Sequence, residues 1–150
     1  VCSDSTAQGT RTDSSGKLIC EMLKNANAEV KHYQIVSVDK DKIQSCIKGW
    51  VAQDIHFIFT AGCTGLGPGD NTVAAVKEIL ERDADGITEA MRVYGQMRTP
   101  LAMMSRSVAG TIGQTTIVTL PGSTTGARES LEAILPAIFH ARKMLQGESH

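Results

Sequence analysis

The densest run of potentially reactive chemistry in this chain of 150 residues is Ala61-Gly62-Cys63-Thr64-Gly65-Leu66-Gly67-Pro68-Gly69-Asp70. Gly62, Gly65 and Gly67 lack Cβ atoms, so backbone N–H groups in this stretch can approach an anion closely. Thr64 offers a hydroxyl to a phosphate oxygen. Asp70 would repel an anion unless a cation lay between them, and Mg2+ takes carboxylate and phosphate oxygens together. Asp70 is therefore the candidate metal ligand. No GK[ST] follows and the glycine spacing is not GxGxxG, so neither a Walker A loop nor a dinucleotide fingerprint is present. The same residues would also serve as a glycine-rich turn capped by Asp70.

Two further clusters have the same character. Ser105-Arg106-Ser107 supplies a fixed cation flanked by hydroxyls, and arginine suits phosphate or a planar heterocycle. Its plainer reading is a surface arginine in a loop. Leu120-Pro121-Gly122-Ser123 ends an apolar run, and Ser123 could equally cap a helix. Together the three clusters describe one polar, anion-receiving crevice.

The elements that must position them follow from hydrophobic periodicity. Helical spacing is expected over 16–25, 41–53 and 72–82, with another helix over about 85–95. An extended segment is expected over 29–38. Continuous apolar runs at 55–60 and 116–120 predict strands buried on both faces. Residues 105–113, punctuated by Gly110 and Gly113, suggest a ribbon. A long helix over 125–145 carries Pro136, which should kink or break it. Strands alternating with helices predict a single α/β domain over 1–150, with a mostly parallel sheet covered on both faces. Ligands in such sheets sit at the carboxyl ends of strands, where these clusters fall.

Fifteen Lys and Arg against sixteen Asp and Glu give a net charge of −1, which offers nothing to nucleic acid or an anionic membrane. No apolar run approaches the ~20 residues of a membrane span. The four cysteines (Cys2, Cys20, Cys46, Cys63) form no CxxC pair, which favours reduced thiols and a cytoplasmic setting. Val1-Cys2 reads as the tail of a strand, so residues upstream are expected.

The loop resembles the TGGTG-x-x-P-x-D signature of the MoaB/Mog family of molybdopterin-binding proteins, which includes the G domain of gephyrin. The likeness continues through Met104-Ser105-Arg106-Ser107-Val108-Ala109-Gly110 and Leu120-Pro121-Gly122-Ser123, and the opening Ser3-Asp4-Ser5 is similar to the family's first segment. Residues 94–100 with 123–130 most resemble the subgroup fused behind a cyclic pyranopterin monophosphate synthase domain, as in fused MoaC/MoaB proteins. The resemblance implies a three-layer α/β fold assembled as a homotrimer, or a hexamer. It further implies molybdopterin as substrate, ATP as co-substrate, Mg2+ as cofactor, and transfer of AMP to the terminal phosphate with release of pyrophosphate.

By position, the resemblance makes Asp70 the essential carboxylate. Gly62, Cys63, Thr64 and Gly65 then form the pterin-phosphate loop, and Ser105, Arg106, Pro121, Gly122, Ser123 and the segment Ser3, Asp4, Ser5 complete the substrate site. Asp39, displaced by one position, is the candidate second catalytic carboxylate. The chain departs from the pattern at Cys63, where the family has glycine, at Gly69, where many members have arginine, and at Thr119, where many have asparagine. Those departures leave open a second reading, a non-catalytic molybdopterin-binding module serving a fused or partner enzyme.

Overall fold

The strand Thr115–Leu120, called β4 below, is buried along its whole length, as its unbroken apolar and threonine sequence requires. It is the axis of the fold in the computed structural model, which describes residues 1–147. In chain order the elements are α1 (Asp4–Ala7), α2 (Ser15–Asn25), α3 (Lys40–Val51), β1 (Phe57–Ala61), α4 (Thr72–Lys77), β2 (Arg82–Asp83) and α5 (Asp85–Gln96). A 3-10 turn (Pro100–Met104), β3 (Ala109–Ile112), β4, α6 (Thr124–Ile138) and α7 (His140–Leu145) complete the chain.

The sheet order is β1-β4-β3-β2. Strands β1 and β4 run parallel, from Phe57 opposite Thr116 to Ala61 opposite Leu120. Strand β3 pairs antiparallel with both β4 and β2. The α/β class stands, but the sheet is mixed rather than mostly parallel, because the ribbon expected over 105–113 sets β3 antiparallel to both β4 and β2.

Alternation along the strands divides the interior into two cores. Val118 and Leu120 face Ile19, Leu23, Met91, Leu131 and Ile134 from α2, α5 and α6. Ile58 and Ile117 face Ile43, Ile47, Ala75 and Val76 from α3 and α4. Helices on both faces of one sheet make three layers.

Three expected elements changed. The segment over 29–38 contributes only an isolated parallel bridge, Val36 to Cys2. A cavity of about 650 Å3 lies between this segment and β1, with Val30, Val36, Phe57 and Phe59 in its walls. Residues of α2 and α3, among them Ile19, Leu23, Ile43 and Ile47, complete its lining. Helix α4 stops at Lys77, well before 82, because Arg82 and Asp83 are drawn off to pair with Thr111 and Gly110. The C-terminal helix runs through Pro136 and breaks at Phe139, one turn later than the proline itself.

The start of α2 shows how one side chain organises the polar segment before it. Asp13, only 7% exposed, accepts hydrogen bonds from the Gly16 N–H at 2.9 Å, the Ser15 hydroxyl at 3.2 Å, and the Tyr33 hydroxyl. Burial pushes its carboxyl up, but these donors outweigh burial and hold it below the ordinary aspartate value. A depressed folded value means that its contribution to stability is present above about pH 4 and is lost as the pH falls through the folded value. Asp13→Ala is expected to cost roughly 1–3 kcal/mol, because buried donors lose their acceptor. Urea unfolding at pH 7 should show this loss, and the difference from the parent chain should shrink towards pH 3.

Candidate functional site

The three clusters do converge on one edge of the sheet. β1 and β4 are parallel, so their carboxyl ends, Ala61 and Leu120, emerge together. Cys2 donates its backbone N–H to Ala61 O at 2.8 Å, which brings Ser3 and Asp4 to the same edge. β3 runs the other way, so its beginning lies there too, and Ser105 to Ser107 arrive just ahead of it. An antiparallel arm thus delivers to the crevice a cluster that a parallel sheet would have offered from a strand end.

The glycines prove to serve backbone packing first. Gly62 donates its N–H to Leu120 O at 3.0 Å and adopts φ +107, where side chains are strained. A Cβ at Gly62 would collide with Cys2 O, and one at Gly122 would come within 3.0 Å of Gly62 Cα. Three chain segments therefore meet through main-chain atoms alone. Gly65 and Gly67 make room for the acid, since a Cβ on either would lie 2.9 Å from Asp70 Oδ2.

Asp70 is held by the loop that it terminates. Its Oδ2 accepts the Gly67 N–H at 2.8 Å, and its own N–H donates to Gly67 O at 3.0 Å. Leu66 to Gly69, between the two anchors, are exposed, with Leu66 at 70%. A carboxylate can accept about four hydrogen bonds, so lone pairs remain for a hard cation. Among the described residues no group of three or more His, Cys, Asp and Glu could enclose a metal ion. A cation here would have to be shared with ligand oxygens, which is how Mg2+ commonly binds beside phosphates.

Cys63 adopts φ +53, a left-handed conformation that suits the glycine of the family pattern better than a side chain. Its thiol is pushed up to about 11, first by burial and then by the negative charge of Asp70, with smaller contributions from Cys2 and Asp4. At pH 7 only about one molecule in 10⁴ would carry the thiolate, which is the nucleophilic form. Cys63 therefore lines the site as a neutral group. Iodoacetamide at pH 7 is expected to leave it unmodified. Asp70→Asn should raise its labelling severalfold by removing the neighbouring charge, as read by peptide mass spectrometry.

Arg106 does not extend into open crevice as an anion receptor. Its backbone N–H donates to Thr64 O at 2.9 Å, its Nε to Gly65 O at 2.7 Å and its Nη2 to Asp70 O at 2.8 Å. Ser105 and Ser107 share a hydrogen bond between their hydroxyls at 2.9 Å. Ser105, Ser107, Pro121 and Ser123 help to line a cavity of about 240 Å3 between α5, the 3-10 turn and α6. Thr119, in place of asparagine, uses its hydroxyl within the sheet, accepting from Val108 N at 2.8 Å and donating to Val108 O at 3.1 Å.

Several candidates are engaged in local structure. The Ser123 hydroxyl accepts from Gly126 N at 3.1 Å, capping α6. The Ser3 hydroxyl accepts from Thr6 N at 3.3 Å and lies 3.2 Å from the Ser5 hydroxyl. Asp4 accepts from Val38 N at 2.7 Å, and Asp39 caps α3 by accepting from Lys42 N at 2.9 Å. Asp4, by its effect on Cys63, is a second carboxylate acting on the Asp70 neighbourhood. The Cys2 main chain, a principal support of the loop, has no side-chain signal by which sequence could reveal it.

Comparison with known proteins identifies relatives of the whole chain. Residues 1–140 match the family described as "Probable molybdopterin binding domain". The chain is 41% identical over 150 residues to a molybdenum cofactor biosynthesis bifunctional protein of Chlorobaculum tepidum, covering 100% of this chain and 48% of that one. The chain thus spans about half the length of that relative. It is 35% identical over 147 residues to molybdenum cofactor biosynthesis protein B of Staphylococcus carnosus, covering 93% of this chain and 86% of the relative. The structure superposes on the molybdopterin biosynthesis enzyme MoaB of Thermus thermophilus with a TM-score of 0.92 and 40% identity, covering 98% of this chain and 93% of that one. A matched family over nearly the full length, a shared fold and the Ala61 to Asp70 loop at the sheet edge lead to one conclusion: the chain belongs to the MoaB/Mog-like family of molybdopterin-binding domains.

Proposed function

We propose that this domain acts in molybdenum cofactor biosynthesis by binding molybdopterin at the Ala61 to Asp70 edge and adenylylating its terminal phosphate with Mg-ATP. The observation that carries the reading is Asp70, a carboxylate with spare lone pairs in a loop whose glycines leave space for it. A phosphate monoester is already largely ionised near neutral pH, with a second pKa of about 6. It needs alignment and relief of charge repulsion more than a general base. When bound, Mg2+ would supply that relief, and Asp70 is the group that would hold it. Thr64, Gly65 and Ser105 would position the pterin phosphate against that charge. The neutral Cys63 thiol then has no covalent part to play, which fits a transfer that requires no nucleophilic side chain. Asp39 remains the proposed second catalytic carboxylate only if ligand binding frees it from its α3 cap.

The partner and assembly readings belong here as well. The bifunctional relative, about twice as long as this chain, supports a fused or partner cyclic pyranopterin monophosphate synthase. An apolar face on α5 and the 3-10 turn, with Val93, Met97, Leu101 and Met103 exposed, supports self-association into a trimer. Among the described residues no helix is long and apolar enough to cross a membrane.

A binding-only module is favoured by one observation. Gly69 faces open space, so the cation that the family pattern implies there is missing although a side chain would fit. Crystals soaked with Mn2+ and a non-hydrolysable ATP analogue separate the two readings. The enzyme reading expects metal and nucleotide together beside Asp70, and a pterin site that excludes both would leave only the module.

A further inference from the structure

We propose that Arg106 is a positioning residue for Asp70, stapling the two ends of the catalytic loop rather than contacting the pterin phosphate; this rests on the adenylyl-transfer reading above. Its Nε and Nη2 lie on one edge of the guanidinium and grip Gly65 O at 2.7 Å and Asp70 O at 2.8 Å. Those carbonyls bracket the exposed stretch Leu66 to Gly69. A third bond, from Arg106 N to Thr64 O at 2.9 Å, ties the base of the same loop to the strand-entry segment.

Other fastenings, the Gly67–Asp70 pair, the bond from Asn71 N to Gly69 O and the hydrogen bond of the Cys63 thiol to the Asp70 side chain, join parts of the same loop and turn with it. Contacts of that kind shape a turn but do not fix where it points. Arg106 supplies the fixed reference, because Val108 and Ala109 just beyond it are locked to β4. Val108 N and O both bond Thr119, and Ala109 lies opposite Val118 in the ladder. The sheet thus sets the guanidinium, and the guanidinium sets the carboxylate. The planar fork is essential to this, since it holds two carbonyls at a fixed separation, whereas a lysine ammonium is a single point of charge. Donors directed at main-chain carbonyls also explain how a loop of glycines can be ordered enough to present an acid.

The role makes a specific kinetic demand. A displacement of about 1 Å at a catalytic group can cost on the order of 10²-fold in rate. Arg106→Gln is therefore expected to lower kcat about 10²-fold and raise the Mg2+ concentration needed for half-maximal turnover. KM for molybdopterin should stay within about twofold. Arg106→Lys, which keeps the charge but not the fork, should recover only part of kcat. A large rise in pterin KM with unchanged Mg2+ dependence, or full recovery by lysine, would overturn the proposal in favour of a direct phosphate contact. If the parent chain shows no turnover, hydrogen exchange of residues 63–70 decides instead. Faster exchange at Gly67 in Arg106→Gln, with β4 unchanged, supports the staple, and unchanged exchange refutes it.

Discussion

Asp70→Asn is expected to abolish adenylyl transfer, by about 10³-fold or more, while the loop keeps its shape and the pterin still binds. Asparagine has nearly the volume of aspartate, and its amide oxygen can accept the Gly67 N–H that Asp70 Oδ2 accepts now at 2.8 Å. Gly65 and Gly67, each of which leaves space beside that oxygen, would hold the amide as they hold the carboxylate. What disappears is the negative charge that lets a cation sit between acid and phosphate. A loss of 10³ in kcat corresponds to about 4 kcal/mol of transition-state stabilisation, within the range expected when a metal's anchoring charge is lost. Steady-state pyrophosphate release paired with calorimetric pterin binding would separate the two effects. Equal losses of binding and turnover would instead mean that Asp70 shapes the site rather than acting in it.

Gly62→Ala should be the most damaging single methyl group in the site. At φ +107 an L-residue is strained by about 1–2 kcal/mol. The new Cβ must also displace Cys2 O, part of a backbone junction with no flexible side chain to yield, and overpacking of that sort costs about 1–3 kcal/mol. Together these amount to roughly 2–5 kcal/mol, or a fall in Tm on the order of 10 °C for a chain of this size. Gly69→Ala is the matched control. It has no positive φ and open space around its Cβ, so its Tm should be unchanged. Differential scanning calorimetry on both variants is the check, and similar losses in the two would show that the junction is not rigid.

The parts of this fold visible in the sequence are those written in side chains. The apolar runs of β1 and β4 and the amphipathic faces of α3 and α5 follow directly from residue type and spacing. Strand β2 was not visible, because Arg82 and Asp83 are exposed and belong to the sheet only through pairing with Thr111 and Gly110. The antiparallel direction of β3 was legible in part, since Gly110 and Gly113 suggested a ribbon over 105–113, although its pairing with both β4 and β2 was not. Within the site, Asp70 could be read from the conflict between its charge and the anion cradle before it. The destination of Arg106 could not, because its partners are main-chain carbonyls that every residue possesses. Cys63 lay between these cases. Its departure from the family's glycine was visible, and the structure supplied the φ of +53 and, beside burial, the acid that helps to keep its thiol neutral.

The central claim is that phosphate and magnesium chemistry meet at Asp70, and transfer of label from ATP tests it most directly. The purified chain would be incubated with molybdopterin, Mg2+ and ATP labelled at the α-phosphorus. Label should appear in the pterin with one pyrophosphate released per transfer, and both signals should vanish in Asp70→Asn. Saturable pterin binding with no label transferred at any Mg2+ concentration would contradict the claim and leave a binding module in its place.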